Sequence, residues 1–154
     1  MSEYRATIEW RRQTADFDYT TYNRTHSLAF EGGIRVPASA APANIPPTAA
    51  GAPGVDPEQA FVASLSSCHL LWFLQVANRA KFVVDRYLDE ATGVLEKDAE
   101  GRMAMTRVTL RPVVTFAGRA PDAEEHARLH EGAHEECFIA NSVKTKVLIE
   151  PRVG

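Results

Sequence analysis

Apolar and polar positions along the chain change period several times, and each change marks an expected element. In "YRATIEWRRQ", residues 4–13, Tyr4, Ala6, Ile8 and Trp10 fall on one face with mostly polar residues between them, which predicts a strand. "TADFDYT" then reads as a turn. A second strand is expected over 24–31, and Gly32-Gly33 predicts a hairpin into "IRVP". Residues 37–54 hold five prolines and no charge, so they predict an extended loop, because proline fixes φ and removes a backbone donor. Asp56-Pro57-Glu58 is a helix start, with a capping side chain, proline at the first helical position and an acid in the first turn. That helix is expected to run to about Arg79. From Cys68 onward it is apolar on almost every side, which predicts a second wall of helix, in this chain or in a second copy.

Strand signals return over 82–97 with a break near Asp89. "DAEGR" predicts a hairpin turn, and 103–116 alternate again, with Pro112 expected at an edge or bulge. "RAPDAEEHARLHEGAHEEC" reads as a second helix, opened by Pro121 and acids. "FIANSVKTKVLIEP" reads as a loop and a short strand. The expected order is βββ–α–βββ–α–β in one domain over 1–154, an α+β fold with a long central helix packed on mostly antiparallel sheets.

The 154 residues suffice for one real core, and a hydrophobic share of 45% with 24% charged residues is ordinary for a globular protein. A net charge of −3 without a basic stripe argues against nucleic acid as a partner. The longest uninterrupted apolar run, Leu70–Leu74, is too short to span a bilayer, and "MSEYRATIEW" lacks a signal core. The expectation is a cytoplasmic protein with no membrane partner. Two cysteines make no disulfide scaffold, and a bond between them in a reducing compartment would be transient.

Cys68 and Cys137 are either buried spacers or a reactive pair. A reactive Cys68 needs a nearby cation. It lies roughly 18 Å inside its helix at 1.5 Å per residue, too far for the helix-start N–H groups to help. Arg24 and Arg35, on the flanking strands, are the candidate cations, and Glu58 is the candidate carboxylate to hold one of them. Glu58 precedes Cys68 by roughly 15 Å of helix, so the two meet most easily if two such helices pack antiparallel in a homodimer. A competing reading places a metal on His126, His130, His134 and Cys137. Adjacent pairs suit zinc, but the whole span of roughly 16 Å is too long for one ion.

"DPEQAFVASLSSCHLLWF", residues 56–73, resembles the helix of the OsmC/Ohr family, the osmotically induced and organic hydroperoxide resistance proteins, that opens on (N/D)-P-E and carries a cysteine further along. "AHEECFIANS", residues 133–142, resembles that family's second-cysteine segment. The resemblance implies an intertwined homodimer and a cysteine-based peroxidase that reduces organic hydroperoxides with an external dithiol and no cofactor. By position it implies that Cys68 is the peroxidatic thiol, Cys137 the resolving thiol, Arg24 the activating cation with Arg35 in reserve, and Glu58 the acid that holds it. His69 stands where these peroxidases often carry an aromatic, and Phe138-Ile139 stand where Cys-Pro is common. The alternative is a non-catalytic stress protein of the same fold that binds a small apolar ligand.

Overall fold

The structure is a computed structural model that describes residues 1–49 and 51–153. The chain forms two compact units, Met1–Ala60 and the residues from Phe61 onward.

In the first unit, β1 (Ala6–Trp10), β2 (His26–Phe30) and β3 (Arg35–Ala38) form an antiparallel sheet in that order, with Ile8 opposite Leu28 and Leu28 opposite Val36. The β2–β3 turn needs left-handed backbone, and Gly32 and Gly33 supply it at φ 80° each. β1 is shorter than expected and exposed at all five positions. The segment after it folds back. Trp10 packs against Phe17 and Tyr22 and donates from Nε1 to the Asn23 carbonyl at 2.8 Å. The buried Asn23 amide accepts from the Gln13 N–H at 2.9 Å and donates to the Arg11 carbonyl at 3.1 Å.

The proline-rich stretch is a loop as expected, with short 3-10 turns at Pro42–Asn44 and Pro47–Ala49. A parallel bridge between Ala38 and Val55 closes it, with the Ser39 N–H donating to the Val55 carbonyl and the Val55 N–H to the Pro37 carbonyl. Gly54 permits that closure, because a Cβ there would lie 2.6 Å from the Ala38 carbonyl carbon. Asp56 caps the following helix, its carboxylate accepting from the Gln59 N–H at 2.7 Å.

That helix, α1 (Pro57–Arg79), buries Leu65, His69, Phe73 and Ala77, one residue every four. The expectation of burial on every side is not met within one chain, since Leu71 is 64% exposed and Leu74 38%. By length and composition alone the whole helix is apolar enough to cross a membrane, a test that the core helix of a globular protein also passes. It contributes to both hydrophobic cores of the second unit. Its end is a Schellman turn, with Lys81 left-handed at φ 66° and the Phe82 N–H reaching back to the Ala77 carbonyl.

The second unit holds two three-stranded sheets. One has the order β4 (Val83–Asp89), β7 (Pro112–Ala117), β9 (Arg152–Val153). The other has β5 (Thr92–Lys97), β6 (Met103–Leu110), β8 (Lys146–Ile149). β4–β7 and β5–β6 are antiparallel, whereas β7–β9 and β6–β8 are parallel. The break expected near Asp89 is real. Its carboxylate accepts the Arg111 N–H at 2.6 Å, where the run 103–116, expected as one strand, divides between the two sheets. Pro112 is therefore neither at an edge nor in a bulge. It is the buried first residue of the central strand β7, a position that tolerates a missing donor. α2 (Ala123–Glu136) starts on a capping box between Asp122 and Glu125. Phe73, Ala77, Phe82, Val114, Leu129 and Ala133 form one core, and Leu65, Val108 and Leu110 the other. The fold is α+β with mostly antiparallel sheets around a long helix.

Candidate active site

Each thiol belongs to a helix for a local reason. Cys68 lies three residues past Leu65 and one before His69, at the border of the buried stripe of α1, and is half-buried. Cys137 is the C-cap of α2, extended at φ −70° and ψ 104°, and its N–H bonds the His134 carbonyl. Cys137 is 1% exposed, and its sulfur accepts the Ala140 N–H at 3.5 Å. Both are free thiols. Burial, reinforced by the neighbouring Cys68 thiol, pushes the Cys137 thiol up to about 11. The tertiary structure thus makes neighbours of two cysteines that are distant in the sequence. Trp72, one turn beyond Cys68, meets the exposed Phe138 ring edge-on at 5.1 Å, so an aromatic pair flanks the two sulfurs along the chain.

The other expected site residues lie in the first unit. Arg24 and Glu58 line one cavity of about 320 Å³, together with His26, Ser39, Asn44 and Pro57. The guanidinium of Arg24 lies 3.3 Å from the centre of the Tyr22 ring. It donates to the Tyr22 carbonyl at 2.5 Å and to the Tyr19 carbonyl at 2.8 Å. Glu58 accepts from the Asn44 amide at 3.4 Å, and its Oε2 is buried without a hydrogen-bond partner among the described residues. The expected pairing of these two charges is therefore replaced, among the described residues, by carbonyls and tyrosine faces on one side and an amide on the other. Arg35 is exposed on β3, as a surface strand charge.

Sequence reasoning missed His26, Asn44 and the tyrosine cradle. The signal for the cradle was present in "YTTYNR", where aromatics precede Arg24 by two and five residues. It also missed the partner of His69. The His69 Nε2 lies 3.1 Å from the His130 Nδ1, with the rings parallel to within 3°. Burial lowers His69 to about 4 and His130 to about 3, so both rings are neutral at neutral pH. Ser66 bonds the Asp89 carboxylate at 2.5 Å, but His69 turns to His130, and the geometry builds no Ser–His–Asp relay. Among the described residues no three His, Cys, Asp or Glu side chains converge as a preformed metal centre.

The chain matches the family described as OsmC-like protein over residues 49–152. Among curated proteins none matches. The fold resembles an OsmC-like protein of unknown function from Vibrio cholerae, at 42% identity and a TM-score of 0.92, over 99% of this chain and 100% of that one. It also resembles the organic hydroperoxide resistance protein OhrB of Bacillus subtilis, at 22% identity and a TM-score of 0.66, over 98% of each chain. An organic hydroperoxide resistance protein from Elizabethkingia anophelis is similar at 17% identity and a TM-score of 0.68, over 99% of this chain and 97% of that one. The last two likenesses speak for the fold alone. With a family match over most of its length and the thiol-bearing helices that the fold brings together, this chain belongs to the OsmC-like family.

Proposed function

We propose that this protein is a thiol-dependent peroxidase that reduces organic hydroperoxides to alcohols. The observation that carries the reading is the neighbouring Cys68–Cys137 pair, in which one thiol is half-buried and the other enclosed and held protonated. Peroxide reaches the first more readily than the second, and a thiol is a far weaker nucleophile than a thiolate. The Cys68 thiolate attacks the distal peroxide oxygen, the O–O bond breaks, and the leaving alkoxide takes a proton to become the alcohol. Cys68 is left as sulfenic acid. The Cys137 sulfur then displaces that hydroxyl as water, giving a Cys68–Cys137 disulfide, which an external dithiol reduces by exchange. Phe61, Trp72, Phe73, Phe138 and Ile139 supply an apolar setting that favours a peroxide with a hydrocarbon arm.

Arg24 is the proposed cation and Glu58 its proposed anchor. In a homodimer with antiparallel α1 helices they serve the thiols of the partner protomer. Support for that assembly is the apolar face of α1 left uncovered at Leu71 and Leu74. The proposal includes a cytoplasmic setting and no nucleic-acid or membrane partner. The decisive experiment is intact-mass spectrometry after one equivalent of cumene hydroperoxide. A loss of two hydrogens with a 68–137 crosslink is expected, and unchanged mass would refute the reading. One observation favours a non-catalytic binder of apolar ligands instead: Arg24 is engaged by carbonyls rather than by Glu58. That reading expects both thiols to resist alkylation until the protein unfolds.

A further inference from the structure

Four imidazoles of the second unit have no part in the proposed reaction: His69 on α1, and His126, His130 and His134 on α2. His69 and His130 are 1% and 3% exposed, and Phe73 stacks on His130 at 4.3 Å. Only one proton fits between the His69 Nε2 and the His130 Nδ1. The opposite nitrogen of His130, Nε2, is buried with no hydrogen-bond partner among the described residues, and so is the Nδ1 of His134. Leaving such buried atoms unpaired is costly, so two beside one opening call for an occupant. His130 and His134 line a cavity of about 290 Å³ together with Glu131, Val147, Ile149 and Pro151.

We propose that this cavity binds one zinc-class divalent cation through the His130 Nε2 and a ring nitrogen of His134. Residues four apart on a helix share a face, so both imidazoles reach the same space. Imidazole is a preferred donor for zinc and its borderline neighbours, and the Glu131 carboxylate on the cavity wall offsets the incoming charge. His69 completes the arrangement. When the His130 Nδ1 donates its proton to the His69 Nε2, the His130 Nε2 is left as a bare lone pair toward the cavity. A hydrogen-bond acceptor behind a ligating histidine is the usual device that sets its tautomer. The protein supplies two donors and water the rest, which makes an open, exchangeable site rather than a closed structural one. Nothing in this site depends on the peroxidase reading.

The test is calorimetric titration of reduced, chelator-treated protein with Zn2+, with Co2+ absorption reporting the donor atoms. One equivalent is expected to bind in the micromolar range, with no sulfur-to-cobalt charge-transfer band. His134→Gln and His69→Leu should each weaken binding tenfold or more. His69→Gln, which keeps an acceptor, should restore it, and His126→Gln should leave it unchanged. Circular dichroism confirms that each variant is folded, and His134 is the safest position because it is only half-buried. Absence of saturable binding, undiminished affinity in His134→Gln, or a thiolate band in the cobalt spectrum would each overturn the proposal.

Discussion

Cys137 neighbours Cys68, and their burial is unequal: Cys137 is enclosed at the C-terminal cap of α2, whereas Cys68 is half open on α1. Two thiols in contact but in different surroundings do not share a role. Cys68→Ser should abolish peroxide-dependent dithiol oxidation. Cys137→Ser should still complete the first half-reaction and accumulate a sulfenic acid that dimedone traps. Equal effects of the two substitutions on the first turnover would end the division of labour.

The raised Cys137 thiol has a consequence for stability. In the unfolded chain a thiol ionises near 8.5, and in the fold near 11. As pH rises between those values the unfolded state loses its proton first, so it binds fewer protons and stability falls. The loss should begin near pH 8.5, reach on the order of 3 kcal/mol at about pH 11, and be absent below pH 8. Urea midpoints of the wild type and Cys137→Ala across this range isolate the effect. Parallel curves for the two proteins would contradict it.

Arg24 lies flat on Tyr22 and forks onto two carbonyls, a geometry that lysine cannot copy. Arg24→Lys is therefore expected to behave like Arg24→Ala in kcat/KM, each losing roughly 100-fold or more. Glu58→Gln should lower activity less, because its carboxylate already bonds the Asn44 amide rather than the guanidinium. Steady-state kinetics with tert-butyl hydroperoxide measure all three. Lysine variants with full activity would remove Arg24 from the proposed site.

Leu71 projects from α1 at 64% exposure in the single chain. If two copies cover this face, Leu71→Glu should place a charge in an apolar interface and shift the protein toward monomer in light scattering. An unchanged mass for variant and wild type would place the interface elsewhere.

Gly54→Ala should destabilise the first unit by about 1–3 kcal/mol, because the new methyl group meets the Ala38 backbone rather than a movable side chain. Urea denaturation reads the cost. A neutral result would mean that the Ala38–Val55 bridge is looser than its two hydrogen bonds suggest.

Local chemistry was legible in the chain itself. Asp56-Pro57 starts α1, the acids after Pro121 start α2, the two glycines turn the first hairpin, and the prolines hold 37–54 out of regular structure. These features depend on a few adjacent residues, and the backbone answers them wherever they occur. The alternating run 103–116 was legible as strand but not as two strands, because its break at Arg111 depends on a carboxylate from Asp89 on another element. The side-chain partnerships are of the same kind. No spacing rule reveals that Arg24 faces Tyr22 rather than Glu58, that His69 meets His130, or that Cys137 lies against Cys68. Periodicity states which face of an element is apolar, but only long-range packing decides what that face meets and how much water is left beside a sulfur or an imidazole. The sequence by itself therefore determined the elements and the kinds of chemistry available. The tertiary structure decided which groups are partnered, which are buried, and which of them can react.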